Sequence, residues 1–136
     1  MAQDDGVPTG FEPLPGIGGF ADLLGPVHTR SDGVVGLRVQ DRHLNLAGTA
    51  MGGFLATLAD LAFGMAIRDD AEGEAAVATV SLTTDFLRPA PAGSWLEAHT
   101  EVERLGGRLA FADCSLRADG DEVVRARAVF AVRDAS

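Results

Sequence analysis

Apolar and polar positions follow two different periods along this chain, and the change between them lies near residue 70. Residues 51–68 are almost entirely apolar or small, which predicts a long helix with apolar side chains on nearly every side. The segments that follow are rich in Val, Thr and Phe and are separated by Pro, Gly and Asp turns, which is typical of β-strands. These segments predict four consecutive strands, over residues 76–90, 94–105, 108–118 and 123–133.

The pattern before the long helix is weaker and predicts shorter elements. Residues 1–16 are rich in Gly and Pro and are expected to form a flexible N-terminal segment. Residues 19–26 favour a short helix, residues 33–40 favour a strand, and residues 41–50 form a polar loop. Short turns between the later strands imply antiparallel pairing. The sequence therefore predicts one α+β domain over residues 17–133, with the long helix packed on one face of an antiparallel sheet.

The composition excludes several classes of function. The 136-residue chain has a formal net charge of −9, which opposes binding to nucleic acids and to anionic membranes because both require a basic surface. All eleven basic residues are arginine, so Schiff-base chemistry, a lysine-bound pyridoxal cofactor and a Walker A loop are excluded. The cysteine and the three histidines are scattered, with no spacing typical of a zinc site. We therefore expect neither a metal nor an organic cofactor.

The apolar segment is a poor candidate for a membrane span, and the N-terminus is a poor candidate for a secretory signal. The apolar run covers 17 residues (51–67) with Asp60 near its middle, whereas a span needs about 20 predominantly apolar residues. No basic start followed by an apolar core opens the chain. The one cysteine, Cys114, lies on the inward face of its strand and is expected to be a core thiol. Together these features predict a cytoplasmic protein.

Asp60 is the first candidate for chemistry. A carboxylate within an apolar helix is unfavourable unless it has polar partners or lies beside a cleft. It could be a structural residue, paired with an arginine or with a backbone group at the edge of the helix. It could equally be a functional group, because perturbed carboxylates are enriched at active sites. The residue pattern alone leaves both interpretations open.

The residues just before and at the start of the predicted helix are the second candidates. The pair Gly52 and Gly53 allows close approach of a ligand, and free amides at a helix start favour an oxyanion, although the pair also suits ordinary close packing. His43 and Asn45 could hold a water or a carbonyl group, although Asn is also common in turns. Arginines near strand ends and turns are surface charges or contacts for a phosphorylated ligand, and these are Arg88, Arg104 and Arg108.

Taken together, the stretch "HLNLAGTAMGGFLATLADLAFGMA" resembles the hotdog-fold acyl-CoA thioesterases, in particular the PaaI-like type of the phenylacetate pathway. The shared pattern is His-x-Asn, a Gly three residues later, a Gly-Gly pair and then Leu-x-x-Leu-x-Asp. The segment "VSLTTDFLRPA" resembles the family's long central strand, and the likeness covers roughly residues 17–133. The resemblance implies a curved antiparallel sheet wrapped around a long central helix. It also implies hydrolysis of an aryl- or medium-chain acyl-CoA without a cofactor.

The resemblance assigns a role to individual residues. Asp60 corresponds to the catalytic carboxylate, which acts as nucleophile or as general base on water. The backbone amide of Gly52 polarises the thioester carbonyl, Asn45 helps to hold that carbonyl or the water, and the hydroxyl of Thr79 lies near the attacking water. The residues expected to contact the substrate are His43, Met51, Gly53, Arg88 and Arg108.

The resemblance also implies an assembly and leaves one discrepancy. In the family, the carboxylate and the helix-start amide of one site come from different subunits, so we expect a homodimer or a dimer of dimers. Met51 occupies a position where a His is common, and this motivates an alternative hypothesis. In that alternative the protein is a hotdog dimer that binds acyl-CoA or another hydrophobic ligand without turnover. A hotdog hydratase is a weaker option, because the long helix contains no His.

Overall fold

The computed structural model describes residues 6–72 and 75–134, which form one long helix, seven strands and two short 3₁₀ helices. The long helix, α1, spans Gly52–Asp70, and the 3₁₀ helices span Gly19–Leu24 and Asp41–His43. The strands are β1 (Phe11–Pro13), β2 (His28–Arg30), β3 (Val35–Arg38), β4 (Ala75–Phe86), β5 (Trp95–Leu105), β6 (Leu109–Ala118) and β7 (Asp121–Asp134). This order confirms the predicted α+β class.

The strands form a single antiparallel sheet in the order β1-β2-β3-β5-β6-β7-β4. Strands β5, β6 and β7 are joined by short turns and pair in sequence, as their turns predict. Strand β4 instead pairs with β7 at the far side of the sheet, from Ala75 opposite Asp134 to Phe86 opposite Val124. Within the described residues β4 has no strand on its other side, so a long edge of the sheet is open in one chain.

The curved sheet covers one face of α1. Leu58, Phe63 and Ile67 are completely buried against the strands, and burial of a large apolar side chain stabilises the fold by about 2–3 kcal/mol. The opposite face of the helix carries smaller side chains that are only half-buried or exposed, including Gly53 and Gly64. The sequence predicted a helix surrounded on nearly all sides, and a single chain encloses only part of it.

The N-terminal region differs from the flexible segment predicted for residues 1–16. Residues 11–13 form strand β1, which pairs with β2. The reason is a tertiary contact, because the buried ring of Phe11 packs edge-on against Trp95 with 5.2 Å between ring centroids. Residues 1–5 lie outside the described residues.

Cys114 is a core thiol, as its place in the strand pattern predicts. Its side chain is buried, and this burial raises the pKa of the thiol to about 11. A thiol with that pKa is protonated at neutral pH and is therefore a poor nucleophile. Among the described residues, no helix combines the length and the apolar character needed to cross a membrane.

Candidate active site

Asp60 lies on the half-buried face of α1 and is bound to Thr79 of β4. The Thr79 hydroxyl Oγ1 donates a hydrogen bond of 2.6 Å to Asp60 Oδ1. The pairing of β4 with β7 is irregular between Thr79 and Ser81, and such bulges redirect side chains at functional sites. Within residues 6–72 and 75–134, no arginine forms an ion pair with Asp60. Within the described residues of one chain, Asp60 is therefore not the partner of an arginine.

The start of α1 presents backbone amides without helical partners. Met51 precedes the helix with extended backbone angles and makes no capping hydrogen bond with its side chain. The first intrahelical bond to Met51 is donated by Leu55, which leaves the amides of Gly52 and Gly53 directed out of the helix. An amide at this position favours negative charge on a nearby oxygen. The helix start therefore has the geometry of an oxyanion-binding site.

The loop before α1 is held rigidly in place. The Met51 amide donates to the carbonyl of His43 at 2.8 Å, and the Ala50 amide donates to the carbonyl of Ala90 at 2.9 Å. The side-chain oxygen of Asn45 accepts the amides of Ala47 at 2.9 Å and Thr49 at 3.1 Å. Asn45 thus has the turn-forming role that its residue type favours. These bonds fix the position of the helix start relative to its surroundings.

One cavity of about 410 Å³ lies beside the helix start and brings together three of the predicted site residues. Asn45, Gly52 and Arg88 line this cavity, which we call the Asn45 cavity. Phe86 lines it as well, and its ring is so near that a Cβ added at Gly52 would lie 3.4 Å from ring carbons.

A second cavity of about 520 Å³ lies on the other side of the first turn of α1. We call it the Met51 cavity; it is lined by Phe20, Leu23, Leu24, Arg42, His43, Met51, Gly53, Phe54 and Thr57. Three predicted substrate-contact residues, His43, Met51 and Gly53, therefore lie around one space. The contribution of the 3₁₀ helix that supplies Phe20 was not predicted, because nothing local to that helix links it to residue 51.

The ring of His43 is engaged by the protein itself. The Gln40 amide donates to Nδ1 at 2.9 Å, so Nε2 carries the proton and donates to the carbonyl of Leu24 at 2.8 Å. The ring also stacks on Phe54 with 3.9 Å between centroids, and its burial lowers the pKa of His43. His43 is therefore neutral near pH 7 with neither ring nitrogen free. This geometry opposes the polar substrate contact expected for it and favours a role in positioning the loop.

One predicted substrate-contact residue, Arg108, lies apart from both cavities. Arg108 lies exposed in the turn between β5 and β6, and its carbonyl accepts the Val132 amide at 2.8 Å. It lines neither the Asn45 cavity nor the Met51 cavity. The described residues also contain no group of three or more His, Cys, Asp or Glu side chains suited to a metal ion.

The Gly52 amide and the Asp60 carboxylate lie far apart on α1. Gly52 and Asp60 are separated by eight residues, and a rise of 1.5 Å per residue places them about 12 Å apart along the helix. A single carbonyl group cannot contact both.

Comparison with known proteins identifies several similar chains. A family model described as the thioesterase superfamily matches residues 47–125. A protein of Pseudomonas aeruginosa named a putative esterase is 44% identical over 128 residues, which cover 91% of this chain and 96% of that protein.

Two solved structures of PaaI proteins are also similar to this chain. The PaaI protein of the Escherichia coli phenylacetic acid degradation operon is 30% identical, with a TM-score of 0.73 over 82% of this chain and 81% of that chain. A mutant of the phenylacetic acid degradation protein PaaI of Thermus thermophilus is 33% identical, with a TM-score of 0.66 over 72% and 82% of the two chains.

Proposed function

The chain belongs to the thioesterase superfamily and is a thioester hydrolase, and we propose that its substrates are acyl-CoA esters with an aryl or medium-chain acyl group. One observation carries the proposal of the catalytic group. Asp60 is held by Thr79 on an open face of α1, with no arginine bound to it among the described residues. The similarity to two PaaI proteins of phenylacetic acid degradation supports the aryl group.

In the proposed reaction Asp60 acts as the general base. It accepts a proton from a water molecule while the oxygen of that water attacks the thioester carbonyl carbon. The hydroxyl of Thr79 donates to Asp60, so its lone pairs remain able to accept a hydrogen bond from the same water. These contacts orient both the base and the water.

The Gly52 amide stabilises the charge that develops during the reaction. When water attacks, the carbonyl oxygen becomes negative, and a fixed amide at a helix start stabilises it without reorganisation. The tetrahedral intermediate then collapses, the carbon–sulfur bond breaks, and the CoA thiolate leaves and takes up the proton that Asp60 accepted from the water. A thiolate is a good leaving group, so this scheme needs no separate strong acid.

The proposed site is completed by a second copy of the chain. Asp60 of one subunit must approach Gly52 of another, because the two lie about 12 Å apart along one helix. The face of α1 that carries Asp60 consists mainly of small side chains and is incompletely buried, and the free edge of β4 exposes Val80 to 61%. Both features suit contact with a second sheet and helix. We propose a homodimer as the catalytic unit, with a dimer of dimers as a further possible assembly.

Substrate binding is assigned to the cavities at the helix start. Asn45 and Arg88 line the Asn45 cavity next to Gly52, where a guanidinium can bind the phosphates of CoA. Arg108 is proposed as a second phosphate contact, reached from the exposed turn between β5 and β6. Met51 and Gly53 line the Met51 cavity, and His43 is proposed to position the loop rather than to bind the substrate through a polar atom.

A thiol-release assay tests the proposed activity. We expect the purified protein to release free thiol from phenylacetyl-CoA and hexanoyl-CoA faster than from acetyl-CoA. The release should be proportional to protein concentration and should show saturation with substrate. Saturable binding of these esters without thiol release would contradict the proposal and favour the binding-only alternative that Met51 motivates.

Mixing two inactive variants tests the shared site. We expect co-refolded Asp60→Asn and Gly52→Pro chains to recover about a quarter of the wild-type activity. Half of randomly mixed dimers pair the two variants, and one of the two sites in such a dimer combines an intact Asp60 with an intact Gly52. The measurement is thiol release before and after mixing. If each site used residues of one chain only, mixing would recover no activity.

A further inference from the structure

Two large apolar side chains near the start of α1, those of Phe20 and Leu23, are highly exposed. Phe20 and Leu23 belong to the 3₁₀ helix Gly19–Leu24 and are 68% and 67% exposed, whereas Leu24 of the same helix is buried in the core. Adjacent exposed apolar side chains at the rim of a cavity mark a surface that is covered by something else. Among residues 6–72 and 75–134 of one chain, nothing supplies that cover.

Phe20 and Leu23 line the Met51 cavity together with Met51. Met51 is 55% exposed although it is one of the larger apolar residues of the chain. Met51 immediately precedes α1 and faces the cavity together with Phe54. The charged residue among the lining residues is Arg42, whose Nε is bound to the side-chain oxygen of Gln40 at 2.9 Å. Most of the other lining side chains are apolar, so the cavity favours a largely apolar occupant.

The position of Gly53 connects this cavity to the reaction centre. Gly53 lines the Met51 cavity, Gly52 lines the Asn45 cavity, and the two cavities flank the same helical turn. A Cβ at Gly53 would meet nothing within 4 Å, so space is open beside its backbone. When the thioester carbonyl of a substrate lies at the amides of Gly52 and Gly53, its two substituents, the acyl group and CoA, can extend into different cavities.

We propose that the Met51 cavity binds the acyl group of the substrate, and that Phe20, Leu23 and Met51 determine its preference for aryl or medium-chain acyl groups. This inference rests on the proposed acyl-CoA thioesterase function. The volume of about 520 Å³ is ample, since an apolar cavity of ~150 Å³ already holds a benzene ring. Met51, the residue that departs from the common His, then supplies an apolar and adaptable wall to that cavity.

Binding of stable thioether analogues tests the assignment without requiring turnover. The probes are S-phenethyl-CoA and S-ethyl-CoA, measured by isothermal titration calorimetry on the full-length chain. We expect the wild-type protein to bind the phenethyl probe at least about tenfold more tightly, a preference that an apolar pocket can supply for a few carbon atoms. In Leu23→Gln and Met51→Gln that preference should fall to about twofold or less, and in Leu23→Gln the affinity for the ethyl probe should be nearly unchanged.

The matched control is Leu105→Gln, the same substitution at a partly exposed leucine in β5 that does not line the Met51 cavity. It should keep the wild-type preference between the two probes. An unchanged preference in Leu23→Gln and Met51→Gln overturns the inference and indicates that the cavity is covered by another part of the assembly. A normal preference in a wild-type protein that hydrolyses no acyl-CoA overturns the proposed function but not the cavity. Failure to bind either probe, in a protein that releases thiol from acyl-CoA, overturns the inference but not the proposed function.

Discussion

Replacing Asp60 by Asn is expected to lower kcat for thioester hydrolysis by a factor of about 10²–10⁴. The amide has nearly the same shape as the carboxylate and can still accept the hydrogen bond of Thr79, so the local structure should persist. It cannot accept a proton from water, however, and it is not a nucleophile. The loss should therefore appear in kcat, with the KM for the acyl-CoA changed much less.

The control for this experiment is Asp69→Asn. Asp69 lies near the end of the same helix and is exposed. Its replacement by Asn removes the same charge as Asp60→Asn, at a position away from the proposed site. Its kcat and its thermal unfolding midpoint should match those of the wild-type chain. A fully active Asp60→Asn protein would show that the carboxylate is structural and that the proposed assignment is wrong.

Replacing Gly52 by Pro is expected to lower kcat by about 10²–10³, because it removes the N–H that polarises the carbonyl. The first position of a helix tolerates Pro well, since the amide there has no helical partner. Met51 has φ −68° and ψ 139°, the extended conformation that residues before Pro prefer. The helix should therefore form normally while its first donor is missing.

Gly52→Ala separates the amide from the added bulk. Both variants introduce a Cβ about 3.4 Å from carbons of the Phe86 ring, but the alanine variant retains the N–H. The ratio of kcat between the alanine and proline variants thus measures the contribution of the donor. Equal kcat values for the two variants would mean that the Gly52 amide plays no part in the reaction.

Local sequence was sufficient for the elements because each has its own side-chain period. The helix was predicted over residues 51–68 and spans Gly52–Asp70, and the last strand was predicted over 123–133 and spans Asp121–Asp134. Alternation of Arg125 and Arg127 with buried alanines identified the inward face of that strand correctly. These features depend on residues a few positions apart, so the periodicity of the local sequence is enough to predict them.

The pairing of strands across the sheet could not be predicted from the local side-chain period. Strand β4 is followed directly by β5 yet pairs with β7, and only this pairing brings Thr79 and its bulge opposite α1. Likewise, β1 forms because Phe11 reaches Trp95, a contact between residues more than eighty positions apart. Such contacts depend on the closure of long loops and the packing of the whole core, which are invisible in local composition.

The same distinction between local sequence pattern and long-range contacts applies to the candidate site residues. By itself the sequence determined which residue types are present for chemistry: an isolated carboxylate in an apolar helix, a Gly-Gly pair before it and no lysine or tyrosine. The tertiary structure decided that Thr79 binds Asp60, that both nitrogens of His43 are engaged, and that two cavities flank the helix start. The separation of Gly52 from Asp60 along the helix, in contrast, follows from their spacing in the sequence. The reason is physical, because a helix fixes distances along its axis, whereas the partners across it are set by the strands that pack there.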